Sequence, residues 1–214
     1  MAVKREKNSE KSRQDILAAA EEQFAAKGFY GARIDEIAHQ ANINKRMIYE
    51  YFTNKENLYK KVLFNVYKRM EIAESKILET KVTGKELIRN IISMYFDFLR
   101  DNPNFVNILM WENLNKAAYL NEMPSSDVER PTINYIKEEI RRGKEAGIFK
   151  KSIDEEQAVI SLIVVCFSNF SNRYTLSKLF AKELSDKDML EKRKQHTIDI
   201  MLEYMCENNR KKAI

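Results

Sequence analysis

Glycine and proline are scarce in this chain: five and three of them in 214 residues. With so few helix breakers and an abundance of Ala, Leu, Ile, Glu and Lys, the natural expectation is an all-α fold. Cysteine is nearly absent too. Cys166 and Cys206 lie forty residues apart, without metal-ligand spacing, and read as two reduced thiols. Only two histidines occur, so no His cluster calls for a metal, and no cofactor is expected. The first residues, Met-Ala-Val-Lys-Arg-Glu-Lys, lack the apolar core of a signal peptide. The longest uncharged run, Gln157 to Asn172, carries Gln, three Ser and two Asn. It falls short of the ~20 apolar residues needed to span a bilayer. A soluble protein of the cytoplasm, with no membrane partner, is therefore expected.

What is present is an apolar fraction of 44%, enough for a packed core, and a net charge of +5 with pI near 9.0. Within residues 1–61, twelve Lys and Arg face nine Asp and Glu. Over half of the excess positive charge thus sits in under a third of the chain. Residues 1–11, polar and mixed in charge, read as a mobile arm. From Ser12 the pattern is helical through Ile16, Leu17, Ala20 and Phe24 and stops at Gly28, a residue suited to a left-handed cap.

Ile34, Ile37 and Ala38 mark a second short helix. Asn42 falls where a tight turn needs positive φ, and Asn44 can cap a third helix. On that third helix Ile48 and Phe52 face inward, which leaves Lys45, Arg46, Met47, Tyr49 and Tyr51 largely outside. Two short helices joined by a turn, the second bearing cations and aromatics outward, form the pattern of a helix-turn-helix whose second helix enters the major groove. Arg46 can donate two bonds to guanine, and Met47 can touch a thymine methyl. The tyrosine hydroxyls, Lys55 and Arg33 suit phosphate oxygens.

The run Gly31 to Phe52, followed by Thr53-Asn-Lys-Glu-Asn-Leu-Tyr59, closely resembles the DNA-binding domain of the TetR family of bacterial transcriptional regulators. The resemblance implies that Lys45, Met47, Tyr49, Tyr51 and Lys55 touch DNA, with Arg33, Asn44 and Arg46 completing the candidate set. Three positions depart from the family pattern. Arg46 stands where a small residue is usual, Arg33 replaces a Ser or Thr cap, and Asn42 replaces Gly. Glu50, four residues after Arg46, can pair with it.

The resemblance divides the chain into an arm and helix-turn-helix domain (1–54) and a connector helix with an effector-binding and dimerisation domain (55–214). In the latter, a long helix from Lys55 to Leu78 is expected. A helix opened by a capping box at Thr83-Gly-Lys-Glu follows, then Phe105–Leu114, a loop over 121–131, a helix ending at Gly147, one capped by Asp154, and a last one capped by Ser185 or Asp186. The helix from Asp154 is apolar on nearly every side, and the last has a clean stripe of Ile198, Met201, Leu202 and Met205. The family pairs these two helices across a homodimer, which makes Leu162, Cys166, Ile198, Met201, Leu202 and Met205 the expected interface.

Tyr95, Phe98, Trp111, Tyr135, Phe167 and Asn169 are the candidates for an effector pocket. Aromatics with a few polar groups suit a small apolar or aromatic ligand. No cation cluster legible in the sequence calls for an acidic one.

The expected function is a homodimeric regulator, a repressor, that binds a palindromic double-stranded operator and is released by a small molecule. The alternative keeps the DNA-binding head and gives the large domain a protein partner. An enzyme is disfavoured. Glu36-x-x-His39 is half of a di-iron carboxylate motif whose second half is missing, and no Gly-rich phosphate loop or Gly-x-Ser-x-Gly elbow occurs.

Overall fold

The computed structural model describes residues 2–206, with side chains from residue 9 onward. The described residues form α-helices, with one isolated antiparallel bridge between Phe149 and Cys206. The helices are α1 (Ala2–Gly31), α2 (Ile34–Gln40), α3 (Lys45–Phe52), α4 (Lys55–Glu79), α5 (Gly84–Asp101), α6 (Pro103–Leu114), α7 (Ser125–Val128), α8 (Pro131–Glu145), α9 (Glu155–Ser171), α10 (Arg173–Phe180) and α11 (Lys187–Met205). No helix among them is long and apolar enough to cross a membrane.

The helices gather into two compact units: residues up to Arg69 with Pro103–Glu129, and Met70–Asn102 with the chain from Arg130 onward. This differs from the sequence-based division at 54/55. The first part of α4, all of α6 and the loop after it group with the DNA-binding helices. The N-terminal residues differ as well, because α1 already begins at Ala2 where an arm was expected.

In the first unit α1, α2 and α3 enclose Ile16, Ala20, Phe24, Ile37, Ile48 and Phe52, and α4 adds Leu58, Val62 and Leu63. Full burial of the Ile, Leu, Val and Phe side chains contributes about 1.5–3 kcal/mol each before entropy is counted. The regular helix of α1 breaks at Gly28, where φ is 67° and ψ is 178°. The expected left-handed residue is there, but with extended ψ, so the chain turns away in place of closing a helical cap.

Against this break lies Trp111 of α6. A β-carbon at residue 28 would meet the indole at 2.7 Å, and the indole Nε1 donates to the Ala25 carbonyl at 3.3 Å. Beside it Glu112, 3% exposed, accepts from the Tyr59 hydroxyl at 2.8 Å and from the Leu120 amide at 3.1 Å. Burial, then the Glu112 charge, pushes the Tyr59 hydroxyl far above its ordinary range. Phe24, Phe29, Tyr59 and Tyr119 cluster around this bond, edge to face except for the tilted Phe29–Tyr119 pair.

In the second unit α5, α9 and α11 pack together with α8 flanking α9. Asp154 caps α9 by accepting from the Gln157 amide at 2.9 Å, as its position suggested. The capping box at Thr83 does not form: Gly84 enters at φ 61°, and Thr83 makes no side-chain cap bond. The loop expected over 121–131 holds two short turns, a 3₁₀ turn at Leu120–Glu122 and α7. Helix α10 was not anticipated.

Glu74, fully buried, is held by three bonds. Arg130 donates from Nε at 2.8 Å and from Nη2 at 2.6 Å, and the Tyr95 hydroxyl donates at 2.6 Å. The forked geometry satisfies both carboxylate oxygens, which is what makes a buried ion pair tolerable.

Gly28→Ala adds both a β-carbon at positive φ and a clash with the Trp111 ring. It is expected to cost about 2–5 kcal/mol, from backbone strain plus overpacking. That lowers the thermal midpoint by on the order of 10 °C. Circular dichroism melting checks it, and an unchanged midpoint would mean that the indole moves aside freely.

Candidate nucleic-acid interface

Helix α3 is built as a two-faced element. Ile48 and Phe52 are buried while Lys45, Arg46, Tyr49 and Glu50 are exposed, with Met47 and Tyr51 half-buried. Its start is set by Asn44, whose side chain accepts from the Arg46 amide at 2.9 Å. The turn before it is made by Asn42 at φ 51°, the left-handed geometry that Asn tolerates better than most residues. Arg33 occupies the N-cap of α2 without a side-chain cap bond, so its guanidinium remains an exposed cation.

Several of the cations are not bare. Arg46 Nε donates to Glu50 at 2.9 Å on an open surface, the pairing that their spacing suggested. Lys45 pairs with Asp35 of α2 at 2.7 Å, and that hydrogen bond holds its amine above the usual lysine range. Lys55 Nζ sits 4.7 Å over the Phe29 ring, and burial lowers its pKa. Tyr51 shares a 2.9 Å hydrogen bond with Ser9 of α1, and Arg13 lies over Phe52 at 5.9 Å.

The partners Asp35, Ser9 and Phe29 were missed in the sequence. They lie ten, forty-two and twenty-six residues from the groups they touch, and no local periodicity points to them. The result is a cationic and aromatic face whose hydrogen-bonding groups are prearranged by neighbours. Glu36, the half of a metal motif, is engaged by Lys27 at 2.8 Å, which holds its carboxyl below the ordinary range.

The six expected pocket residues take different places among the described residues. Trp111 belongs to the first unit and packs on Gly28. Tyr95 is buried with its hydroxyl committed to Glu74. Phe98, Tyr135 and Phe167 are half-buried. Asn169 lines a cleft with Arg100, Phe170, Arg173, Leu184, Ser185 and Leu190.

The expected interface residues require a correction. Leu162, Cys166, Ile198, Met201, Leu202 and Met205 are all buried within the chain itself, between 0% and 9% exposed. They lie where α5, α9 and α11 pack together, so the single chain already covers them. The apolar side chains left open on the same two helices are Ile160 and Val164 on α9, and Ile200 and Tyr204 on α11. Val164 is 57% exposed, so α9, apolar on nearly every side, is not fully covered by its own chain.

Two family models cover most of the chain. Residues 16–62 match the bacterial regulatory proteins of the tetR family, and residues 85–201 match a tetracyclin repressor-like C-terminal domain. The transcriptional repressor NicS of Pseudomonas putida is 31% identical over 184 residues, covering 86% of this chain and 87% of the relative. A transcriptional repressor of Streptomyces coelicolor is 28% identical, covering 74% and 78%. Among solved structures, the regulator FadR from Bacillus subtilis, in complex with stearoyl-CoA, superposes with a TM-score of 0.69 at 20% identity. That match covers 90% of this chain and 98% of the other. A two-faced α3 set by Asn42 and Asn44, together with these matches, leads to one conclusion: the chain belongs to the TetR family of DNA-binding transcriptional regulators.

Proposed function

We propose that this regulator is a homodimeric repressor acting in the bacterial cytoplasm, that α3 of each subunit reads one half of a palindromic operator, and that a small molecule bound in the second unit releases it. The observation that carries the reading is the outward face of α3. Arg46 and Tyr49 stand free of the core there, and Lys45, Tyr51 and Lys55 are steadied from behind by Asp35, Ser9 and Phe29. Side chains whose rotamers are already restrained lose less entropy on contact, which favours readout over loose adhesion. Repression agrees with the names of the relatives, and release by a ligand agrees with the acyl-CoA complex of FadR. Arg33, Tyr49, Tyr51 and Lys55 are assigned to phosphates, and Arg46 and Met47 to base edges, with Asn44 fixing the start of the helix.

Dimerisation through α9 and α11 is retained, with its face reassigned. Ile160, Val164, Ile200 and Tyr204 form the apolar surface that a second copy would cover in an isologous contact. The two-fold axis then supplies the paired recognition helices that a palindrome needs.

Two experiments test these assignments. If Arg46 leaves Glu50 to read guanine, Arg46→Ala costs about 1–3 kcal/mol of operator affinity and relaxes preference at one position per half-site. Glu50→Ala removes only an exposed helix pair, worth about 0.3–0.5 kcal/mol. Binding measured on a set of single-base operator variants separates these outcomes. Uniform weakening across all sequences would reassign Arg46 to a phosphate.

Val164→Glu, placed on the open face, brings two like charges together across the axis. It should yield folded monomers in sedimentation, with a steep loss of full-operator affinity. Leu202→Glu, placed in the core, should instead lower the melting temperature of the chain. A Val164→Glu protein that stays dimeric would put the interface elsewhere.

A further inference from the structure

The second unit holds a cleft that its sequence gave little reason to expect. Two adjoining cavities, of about 160 and 50 Å³, share Arg100, Phe170 and Leu190 as walls. The cleft lies among the end of α5, the end of α9, the start of α10 and the first turns of α11. Its floor is apolar: Phe96 and Phe170 meet edge to face at 5.6 Å, with Leu184 and Leu190 beside them.

Its rim is cationic. Arg100, Arg173, Lys187 and Lys194 line the two cavities against only Asp97 and Glu191. Asp97 and Glu191 are already engaged, Asp97 by Arg100 at 3.0 Å and Glu191 by Lys194 at 2.8 Å. Arg100 also holds Asp101, at 2.8 Å. Arg173 and Lys187 make no ion pair among the described residues. The Arg173 guanidinium rests 4.6 Å over the Tyr174 ring and donates to its hydroxyl at 2.7 Å. Hydrogen bonds from Ser185, with the Arg173 charge behind them, hold the Glu183 carboxyl below its ordinary range. Asn169 is fixed in the wall by Arg193 at 3.0 Å and by its own bond to the Val165 carbonyl.

We propose that this cleft is a binding site for a small amphipathic carboxylate, its apolar body against Phe170 and Leu190, which both chambers share, and its carboxylate on the cationic rim that Arg173 lines in the larger chamber and Lys187 in the smaller. The shape selects the class. A cavity of about 150 Å³ accepts a benzene-sized body, close to the larger chamber here. Guanidinium recognises a carboxylate through two parallel donors, and Arg173 and Lys187, which stand outside the ion pairs of the rim, suit a monoanion. Asp97 and Glu191 would repel a multiply charged ligand reaching deeper. These four cations lie between positions 100 and 194, far apart in the chain, which is why the sequence alone gave no cation cluster. The inference rests on the regulatory reading for the ligand's role as effector, while binding itself is measured on the protein without DNA and can fail separately.

The test uses the intact protein with hexanoate and phenylacetate as probes and their neutral amides as comparators, by calorimetric titration and ligand-observed NMR. A ligand of this size should bind with Kd on the order of 1 mM. Each acid should bind at least about tenfold more tightly than its amide, as expected where a charged hydrogen bond is lost. The pair Arg173→Gln with Lys187→Gln should weaken the acids by a similar factor, and Ser185→Phe, which fills the cleft from an exposed wall, should abolish binding. Lys192→Gln, exposed on α11 but outside the lining, should change nothing and controls for net charge. Three results overturn the proposal: no saturable binding of either acid, amides that bind as tightly as acids, or acid binding that survives both the paired substitution and Ser185→Phe.

Discussion

The seam between α1 and α6 is the constraint from which the architecture of the first unit follows. A helix that carried a side chain at residue 28 could not admit the Trp111 ring, and without that ring α6 would have no flat surface to present to α1. The neighbouring Tyr59–Glu112 bond adds a directional requirement to the shape match, because a buried carboxylate tolerates only a register in which it is satisfied. Packing and polarity therefore select the same alignment of α1, α4 and α6. Residues from the middle of the chain become part of the foundation on which α2 and α3 stand.

That foundation gives the recognition helix its character. Only Ile48 and Phe52 anchor α3 in the core, so an eight-residue helix depends on Asn44 at its start and on contacts to its outer side chains for its orientation. The bonds to Asp35 and Ser9 supply such contacts without covering the surface. A short helix held in this way is positioned by polar partners nearly as much as by its apolar face.

How much of this could be read in advance follows from range. Asn42, Asn44 and Asp154 were legible because turns and caps are decided within three or four residues. Helices α2 to α5 were legible because apolar periodicity is local too. Periodicity tells which residues share a face but not what that face meets. The stripe Ile198, Met201, Leu202 and Met205 was read correctly as a unit, and its neighbour proved to be the chain's own core. Thr83 misled because Gly84 leaves the helical range, and α10 was missed because its apolar residues, Leu179 and Phe180 among them, are exposed and follow no buried stripe. Aromatic composition likewise suggested a pocket. Trp111 and Tyr95 instead serve as a packing surface and a buried donor, roles that composition cannot separate from ligand contact.

The Glu74–Arg130 pair carries a consequence for how this sequence can change. Either residue replaced alone leaves the other's charge without its counter-ion at a largely buried position, at a cost of up to about 3–5 kcal/mol, a large share of a typical domain's stability. An apolar pair of matched volume could be as stable as the ions, yet no single substitution leads there without crossing that penalty. Positions 74 and 130, fifty-six residues apart, are thereby bound into one heritable unit, free to drift together and nearly frozen when considered singly.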